Sequence, residues 1–120
     1  MKKLIIYSVV LNLVAAAMLL VNSTTADTGL TQVESKYVCM ITNKLFADEQ
    51  IEVDIDGKKY YGCCEMCKGR LEQNIANRKA FDPVSGKEVD KATAVIGAAA
   101  NNSVYYFESE ENLKSFNKSN

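Results

Sequence analysis

Four cysteines are the residues of this chain whose type and spacing could do chemistry. Three of them, Cys63, Cys64 and Cys67, lie together in one short stretch, and Cys39 precedes them. The sequence contains no histidine, so binding of a soft metal ion or a redox reaction would depend on these thiols. Thiolates prefer ions such as Zn²⁺ and Cu(I). The spacing therefore indicates a thiol-based site, with metal binding as the first interpretation.

A predicted β-hairpin fills the interval between Cys39 and the other three cysteines. Residues 51–55 alternate strictly between apolar and polar side chains, which is typical of a half-buried strand. Asp56-Gly57 is a strong signal for a two-residue turn, and residues 58–62 return as the partner strand. Because such a hairpin folds back on itself, we expect it to bring Cys39 beside the cluster.

A helix is expected to begin at the cysteine cluster and to run to near Asn77. Cys67, Leu71 and Ile75 are spaced by four residues, which places their side chains on one helix face. This pattern predicts that Cys67 points inward with the core. The two other cysteines of the cluster fall at or just before the helix start, where free backbone N–H groups and the helix dipole favour a thiolate.

The second half of the chain repeats the pattern of the first half without its cysteines. Tyr105-Tyr106-Phe107 matches Tyr60-Tyr61-Gly62, and a turn is predicted over residues 82–86. A short helix capped by Ser109, with its apolar side chains on the inner face, is expected to follow. In this alignment the residues opposite Cys39, Cys63, Cys64 and Cys67 are Ser85, Glu108, Ser109 and Asn112.

At these residues the chain resembles two related families of small metal-binding modules. Asp-Pro-Val-Ser-Gly-Lys over residues 82–87, with the later Tyr-Tyr-Phe-Glu-Ser, resembles a YHS domain. That family typically reads Asp-Pro-Val-Cys-Gly-Met, then Tyr-Tyr-Phe-Cys-Ser-x-x-Cys. The first half looks like the TRASH module, in which one cysteine is followed after a hairpin by Cys-x-x-x-Cys. The resemblance covers nearly all of residues 36–118.

The resemblance implies a treble-clef-like zinc-finger architecture and a role in heavy-metal trafficking, resistance or sensing. It implies Cys39, Cys63 and Cys67 as ligands of Zn²⁺ or Cu(I). Cys64 stands where the family often has serine, and it is expected to be an optional fourth ligand. The second half lacks the family's cysteines. Because such modules often sit beside copper-exporting ATPases, a membrane metal transporter or another metal-handling protein is an expected partner.

The sequence thus predicts an α+β chain with two small units in tandem, each a β-hairpin followed by a helix. An N-terminal signal helix over residues 1–26 and a flexible polar linker over residues 27–35 are expected to precede them. The TRASH-like cysteine unit is expected over residues 36–78, and the YHS-like unit without cysteines over residues 79–120.

Residues 1–26 have the pattern of a secretory signal peptide. Lys2 and Lys3 precede an almost uninterrupted apolar run over residues 4–21, and Thr24-Thr25-Ala26 suits a cleavage site. The expected location is therefore periplasmic or secreted. The apolar run is long enough to span a bilayer, so an uncleaved anchor in the inner membrane is the alternative.

Charge and motifs argue against several other functions. The net formal charge is −1 and the chain has no basic patch, so nucleic acid is not an expected partner. Contact with a membrane is expected only if the N-terminal segment stays uncleaved. No nucleophile–base pair, phosphate loop or carboxylate pair stands out, so the chain is not expected to be an enzyme.

Two other interpretations of the cysteines stay open. An exported protein meets an oxidising compartment, where four cysteines can form two disulfides and staple a structural or interaction domain. Cys64-Glu65-Met66-Cys67 is also a Cys-x-x-Cys sequence at a helix start, which favours a reactive thiol and a thiol–disulfide redox protein.

The N-terminal pattern gives the first testable prediction. Expressed in a bacterium, the protein is expected to be exported and cleaved after or near Ala26, because the small residues there suit the signal peptidase. Mass spectrometry of the recovered protein measures its N-terminus. Recovery from membranes of a chain that still begins at Met1 or Lys2 would indicate an anchor instead.

Overall fold

The computed structural model describes residues 29–120, and these form a small α+β fold. The first half contains six regular elements besides a short 3-10 helix at Ser35–Tyr37. They are β1 (Thr31–Val33), β2 (Val38–Cys39), β3 (Lys44–Leu45), β4 (Ile51–Ile55), β5 (Lys58–Gly62) and helix α1 (Glu65–Gln73). The predicted α+β class is therefore confirmed for the part of the chain that the structure describes.

The second half repeats the order of strands and helix found in the first. A second 3-10 helix at Ile75–Arg78 leads into it. Its elements are β6 (Lys79–Phe81), β7 (Glu88–Asp90), β8 (Val95–Ala98), β9 (Val104–Phe107) and helix α2 (Glu110–Ser119). In each half, two antiparallel pairs of strands come before one helix, whereas the sequence predicted a single hairpin before each helix.

The hairpin of β4 and β5 has the turn that its sequence predicts. The strands pair antiparallel from Ile51 opposite Gly62 to Ile55 opposite Lys58. Asp56 and Gly57 join them with φ angles of 52° and 78°, and two consecutive positive φ angles match the twist of a tight hairpin. The hairpin therefore returns the chain to the cysteine cluster, as expected.

Helix α1 is shorter than the four-residue spacing predicted. It buries Cys67 and Leu71 as expected but ends at Gln73, and Ile75 is 64% exposed instead of facing the core. Asn74 is the cause, because its backbone is extended and its side chain accepts a hydrogen bond from the backbone N–H of Ala76. An asparagine that caps the next turn competes with continuation of the helix.

Part of the predicted linker forms a strand. β1 pairs antiparallel with β8, with Thr31 opposite Ala98 and Val33 opposite Ile96. The backbone N–H of Leu30 donates to the Asn117 side chain at 2.7 Å, which ties the same segment to helix α2. The polar composition predicted a flexible chain here, and pairing along the edge of β8 orders it instead.

Helix α2 begins as its sequence predicts. The Ser109 hydroxyl accepts a hydrogen bond from the backbone N–H of Asn112, which makes Ser109 the N-cap. On the inner face, Leu113 is buried, while Phe116 is half-buried and contacts the rings of Tyr105 and Phe107. The helix therefore packs mainly on the sheet of its own half.

One apolar core joins the two halves. Buried side chains from both halves belong to a single cluster: Val38, Met40, Val53, Tyr60 and Leu71 from the first half, and Val89, Ile96, Ala98, Val104 and Tyr106 from the second. Since each half alone is too small to enclose such a core, the second half stabilises the fold of the first.

Asp90 connects the two halves through polar contacts at the rim of this core. Its carboxylate accepts hydrogen bonds from the Tyr60 hydroxyl at 2.7 Å and from the Lys58 ammonium at 2.8 Å. Burial disfavours the carboxylate, but these donors and the Ala92 N–H outweigh it and lower the pKa of Asp90 from 3.8 to about 2. The folded state therefore favours the ionised form.

No helix within residues 29–120 is long and apolar enough to cross a membrane. The predicted signal over residues 1–26 lies outside the described residues.

Asp90 gives a prediction about the pH dependence of stability. Because its pKa is lower in the folded chain than in the unfolded chain, its contribution is fully present above pH ~4 and is lost as pH falls towards 2. The pKa difference corresponds to about 2 kcal/mol. Urea unfolding at several pH values should therefore show a gap between the unaltered chain and Asp90→Asn that narrows on acidification. A constant gap from pH 5 to pH 2 would contradict this account.

Candidate metal centre

Cys39 is held at the end of β2, where the chain makes a tight loop over residues 40–43 that we call the knuckle loop. The backbone N–H of Asn43 donates to the carbonyl of Cys39 at 2.8 Å and closes the loop. Asn43 adopts a positive φ of 54°, which asparagine tolerates better than most residues. The N–H of Met40 donates to the carbonyl of Tyr61, so the loop is attached to strand β5.

The other three cysteines lie where β5 turns into helix α1. Cys63 and Cys64 form the bend, and Cys64 is the N-cap residue of the helix. The N–H of Lys68 donates to the carbonyl of Cys64, which forms part of the first helical turn. Cys67 lies within that turn and is buried. The attachment of Met40 to Tyr61 therefore places Cys39 beside the helix start.

Three sulfur atoms meet at this place. The Sγ atoms of Cys39, Cys63 and Cys67 all lie within 4.8 Å of one another. Cys67 is central, because its Sγ is 3.8 Å from that of Cys39 and 3.6 Å from that of Cys63. Two thiolates bound to one tetrahedral ion, each about 2.3 Å from it, lie about 3.8 Å apart. The observed separations therefore match two ligands of a single ion.

Cys64 lies beside this group without belonging to it. Its Sγ is 3.6 Å from that of Cys67, but Cys64 is outside the set of mutually close sulfurs. Cys39 and Cys67 are buried, whereas Cys63 and Cys64 are exposed. All four cysteines are free thiols. The site thus has a buried side formed by the knuckle loop and the helix, and an open side at the bend.

Hydrogen bonds prepare Cys39 to ionise first. Burial disfavours its thiolate, but the Thr42 hydroxyl and the N–H groups of Thr42, Ile41 and Cys63 outweigh burial and lower the pKa of Cys39 to about 7. The N–H of Cys67 lowers the pKa of the exposed Cys64. Apart from the Thr42 hydroxyl, these donors are backbone N–H groups of the knuckle loop and of the helix start. A helix start is a common setting for a reactive thiolate.

The two remaining thiols resist a second charge. Hydrogen bonding to Cys67 and to Cys39 raises the pKa of Cys63 to about 12. Burial raises the pKa of Cys67. Without a cation, three thiolates so close together repel one another. A bound metal ion would supply the missing positive charge and release the thiol protons.

In the second half, a buried carboxylate connects the turn over residues 82–86 to the start of helix α2. Asp82 is fully buried, and its Oδ2 accepts from the N–H of Glu108 and from the Asn112 side chain, both at 2.8 Å. Its Oδ1 accepts from the N–H groups of Val84 and Ser85. Ser85, which the alignment put opposite Cys39, is exposed, and its hydroxyl accepts from the N–H of Lys87. Hydrogen bonds to Asp82 thus join the turn and the helix start of this half.

Sequence reasoning missed Thr42, Asn43 and Lys91 near the cysteines, and Asp82 in the second half. Asp82 was read only as part of a turn, although an aspartate before proline commonly bonds to the backbone that follows. Thr42 and Asn43 had no signal beyond their polar character. Lys91 is 6% exposed and reaches the knuckle loop, and nothing in its polar surroundings distinguishes it from a solvated lysine.

The close contact between β5 and α1 gives a prediction about the site. A Cβ atom at Gly62 would lie 2.8 Å from the Cβ of Cys67, so Gly62→Ala should force the helix start away from the strand. Such overpacking typically costs about 1–3 kcal/mol, and we expect weaker metal binding as well. Urea unfolding of the reduced, metal-free chain and a competitive metal titration measure the two effects.

Gly69→Ala is the matched control for Gly62→Ala. An added Cβ at Gly69 would meet only the Gln73 side chain at 3.9 Å, and alanine favours a helix over glycine by up to about 1 kcal/mol. This variant should be at least as stable as the unaltered chain and should bind metal normally. Equal losses in both variants would contradict the contact as the cause.

Comparison with known proteins adds no relative to this description. No model of a protein family, no curated protein and no solved structure matches the chain. The candidate site is therefore supported by the geometry of its own residues.

Proposed function

We propose that this protein is an exported binding protein for one soft metal ion, Zn²⁺ or Cu(I), which acts in metal trafficking, resistance or sensing. Cys39, Cys63 and Cys67 are the ligands in this proposal, and Cys64 is an optional fourth. The ion is the protein's cargo, and no chemical step is assigned to the chain. A membrane transporter or another metal-handling protein would deliver or receive it.

One observation carries the proposal: the Sγ atoms of Cys39, Cys63 and Cys67 all lie within 4.8 Å of one another. Cys67 lies 3.6–3.8 Å from Cys39, Cys63 and Cys64. One metal ion requires ligand atoms that lie close to one another, as the sulfur atoms of Cys39, Cys63 and Cys67 do.

The open side of the site suits exchange of the ion. Cys63 and Cys64 are exposed, and Met66 between the cysteines is 67% exposed. Soft ions such as Cu(I) bind both thiolates and thioethers, so these surface sulfurs offer a path along which ligands can replace one another. Cys39 and Cys67 are buried and would retain the ion.

The resemblance to TRASH and YHS modules agrees with this proposal. Each half would be a treble-clef-like unit, and the first alone would bind metal. In the second half, Asp82 and its hydrogen bonds with Asn112 and Glu108 would do what the ion does in the first. The second half would then serve as a structural partner of the first.

A thiol–disulfide redox function is the second candidate. The exposed Cys64 lies 3.6 Å from Cys67 at the start of α1, and its pKa is lowered by the N–H of Cys67. A thiol with these features attacks disulfides readily. The first candidate keeps priority, because a redox pair has no need for the third and fourth sulfurs at the same point.

The metal proposal predicts the behaviour of serine variants. Reduced protein, titrated without oxygen, should take up one Zn²⁺ or one Cu(I) per chain. Cys39→Ser and Cys67→Ser should abolish uptake, whereas Cys64→Ser should retain it, because Cys64 is outside the close group. An ion that binds only the folded chain raises the melting temperature, so that increase should vanish in the same two variants. Native mass spectrometry measures the stoichiometry, and calorimetry measures the melting temperature.

Glu108→Gln is the control from the second half and should leave metal uptake unchanged. Two results together would overturn the metal proposal. One is a reduced chain that takes up neither ion. The other is isolated protein whose mass is lower by four hydrogens, as the formation of two disulfides requires. A single disulfide between Cys64 and Cys67 in the isolated protein, again without metal uptake, would favour the redox function.

A further inference from the structure

A buried lysine from the second half reaches the loop that carries the first metal ligand. Lys91 follows strand β7, and it is 6% exposed. Its Nζ donates to the carbonyl of Met40 at 2.7 Å and to the Asn43 side chain at 3.2 Å. It also lies 5.3 Å from the centre of the Tyr106 ring. All of these contacts are to neutral groups.

No carboxylate within residues 29–120 forms an ion pair with Lys91. An ammonium taken out of water without a neighbouring negative charge is costly, and buried lysines in proteins usually have such a partner. Neutral carbonyl oxygens satisfy its hydrogen bonds but leave its charge uncompensated. A negative group that compensates the charge of Lys91 must therefore be something other than a carboxylate of these residues.

The thiolate group is the negative charge within reach. Met40, whose carbonyl accepts from Lys91, directly follows Cys39 in the chain. Burial lowers the pKa of Lys91, and the charge of Cys39 offsets part of that decrease. Burial raises the pKa of Tyr106, the other neighbour of the ammonium, and the charge of Cys39 raises it further. Lys91 thus lies in the electric field of the sulfur site without touching a sulfur atom.

We propose that Lys91 is a selectivity-determining residue whose buried charge favours a monovalent soft ion over a divalent one at the Cys39, Cys63 and Cys67 site. This inference rests on the proposed metal-binding function. Three thiolates with Cu(I) carry a net charge of −2, whereas three thiolates with Zn²⁺ carry −1. A fixed positive charge stabilises the more negative complex more strongly. Lys91 therefore changes the relative affinities for the two ions, because its charge interacts with the net charge of the metal-bound site.

The test compares two ions in one set of variants. Cys64→Ser is introduced first, so that the same three thiolates bind either ion. Lys91→Gln then removes the charge and keeps an N–H donor for the Met40 carbonyl, and Lys91→Met removes both. Affinities for Cu(I) and Zn²⁺ are measured anaerobically by competition with chelators. We expect both substitutions to lower the Cu(I) affinity about tenfold more than the Zn²⁺ affinity.

This comparison separates a charge effect from a structural one. If Lys91 only held the knuckle loop in place, its loss would lower the affinities for both ions by the same factor. Both ions bind the same metal-free chain. An unchanged ratio of the two affinities would therefore overturn the inference. Lys114→Met, which removes an exposed lysine on helix α2, is the control for net charge and should leave the ratio unchanged.

A measurement on the unaltered chain covers the case in which the variants fail to fold. Nitrogen NMR distinguishes a lysine ammonium from a neutral amine. The Nζ signal of Lys91 should be that of an ammonium in the Cu(I)-loaded protein, and a neutral amine there would overturn the inference. Failure of the metal proposal looks different, because the unaltered chain would then bind neither ion.

Discussion

The fold depends on the attachment of the knuckle loop, whose backbone groups are hydrogen-bonded by distant parts of the chain. Strand β5 supplies one partner, the carbonyl of Tyr61 for the N–H of Met40. The second half supplies the others: Val104 donates its N–H to the Asn43 carbonyl, and Lys91 donates to the Met40 carbonyl. A buried backbone group without a partner would cost about 1–3 kcal/mol. The loop that holds Cys39 is therefore shaped as much by the second half as by its own hairpin.

Each half connects a turn to the start of its helix, and the two halves use different chemical groups for this connection. In the second half, the buried carboxylate of Asp82 accepts from Glu108 and Asn112, and this arrangement is complete within the chain. In the first half, the corresponding place holds sulfur atoms that repel one another once ionised. A cation would offset that repulsion. The two halves therefore differ, because only the second completes this connection with groups of its own chain.

Sequence patterns were informative where a single local rule decides the outcome. The Asp56-Gly57 turn, the cap at Ser109 and the inward position of Cys67 follow from residue type and spacing. The patterns failed at one long-range pairing and at one local cap that the spacing of apolar residues did not reveal. β1 forms because β8 offers an edge, and α1 ends early because Asn74 bonds to Ala76. The grouping of the cysteines was predictable from their spacing, whereas the exclusion of Cys64 from the close set required coordinates.

The polar contacts around the knuckle loop show how a small core can contain two ionisable groups. The thiol of Cys39 is buried, and the buried ammonium of Lys91 bonds to the carbonyl of Met40, the next residue in the chain. Each charge lowers the cost of the other, since opposite charges in a poorly solvated interior attract strongly. Backbone N–H groups around Cys39 and carbonyl groups around Lys91 satisfy their hydrogen bonds separately, so the two need no direct contact. Lys91 thereby brings a charge of the second half next to the knuckle loop that follows Cys39, although the second half contains no cysteine.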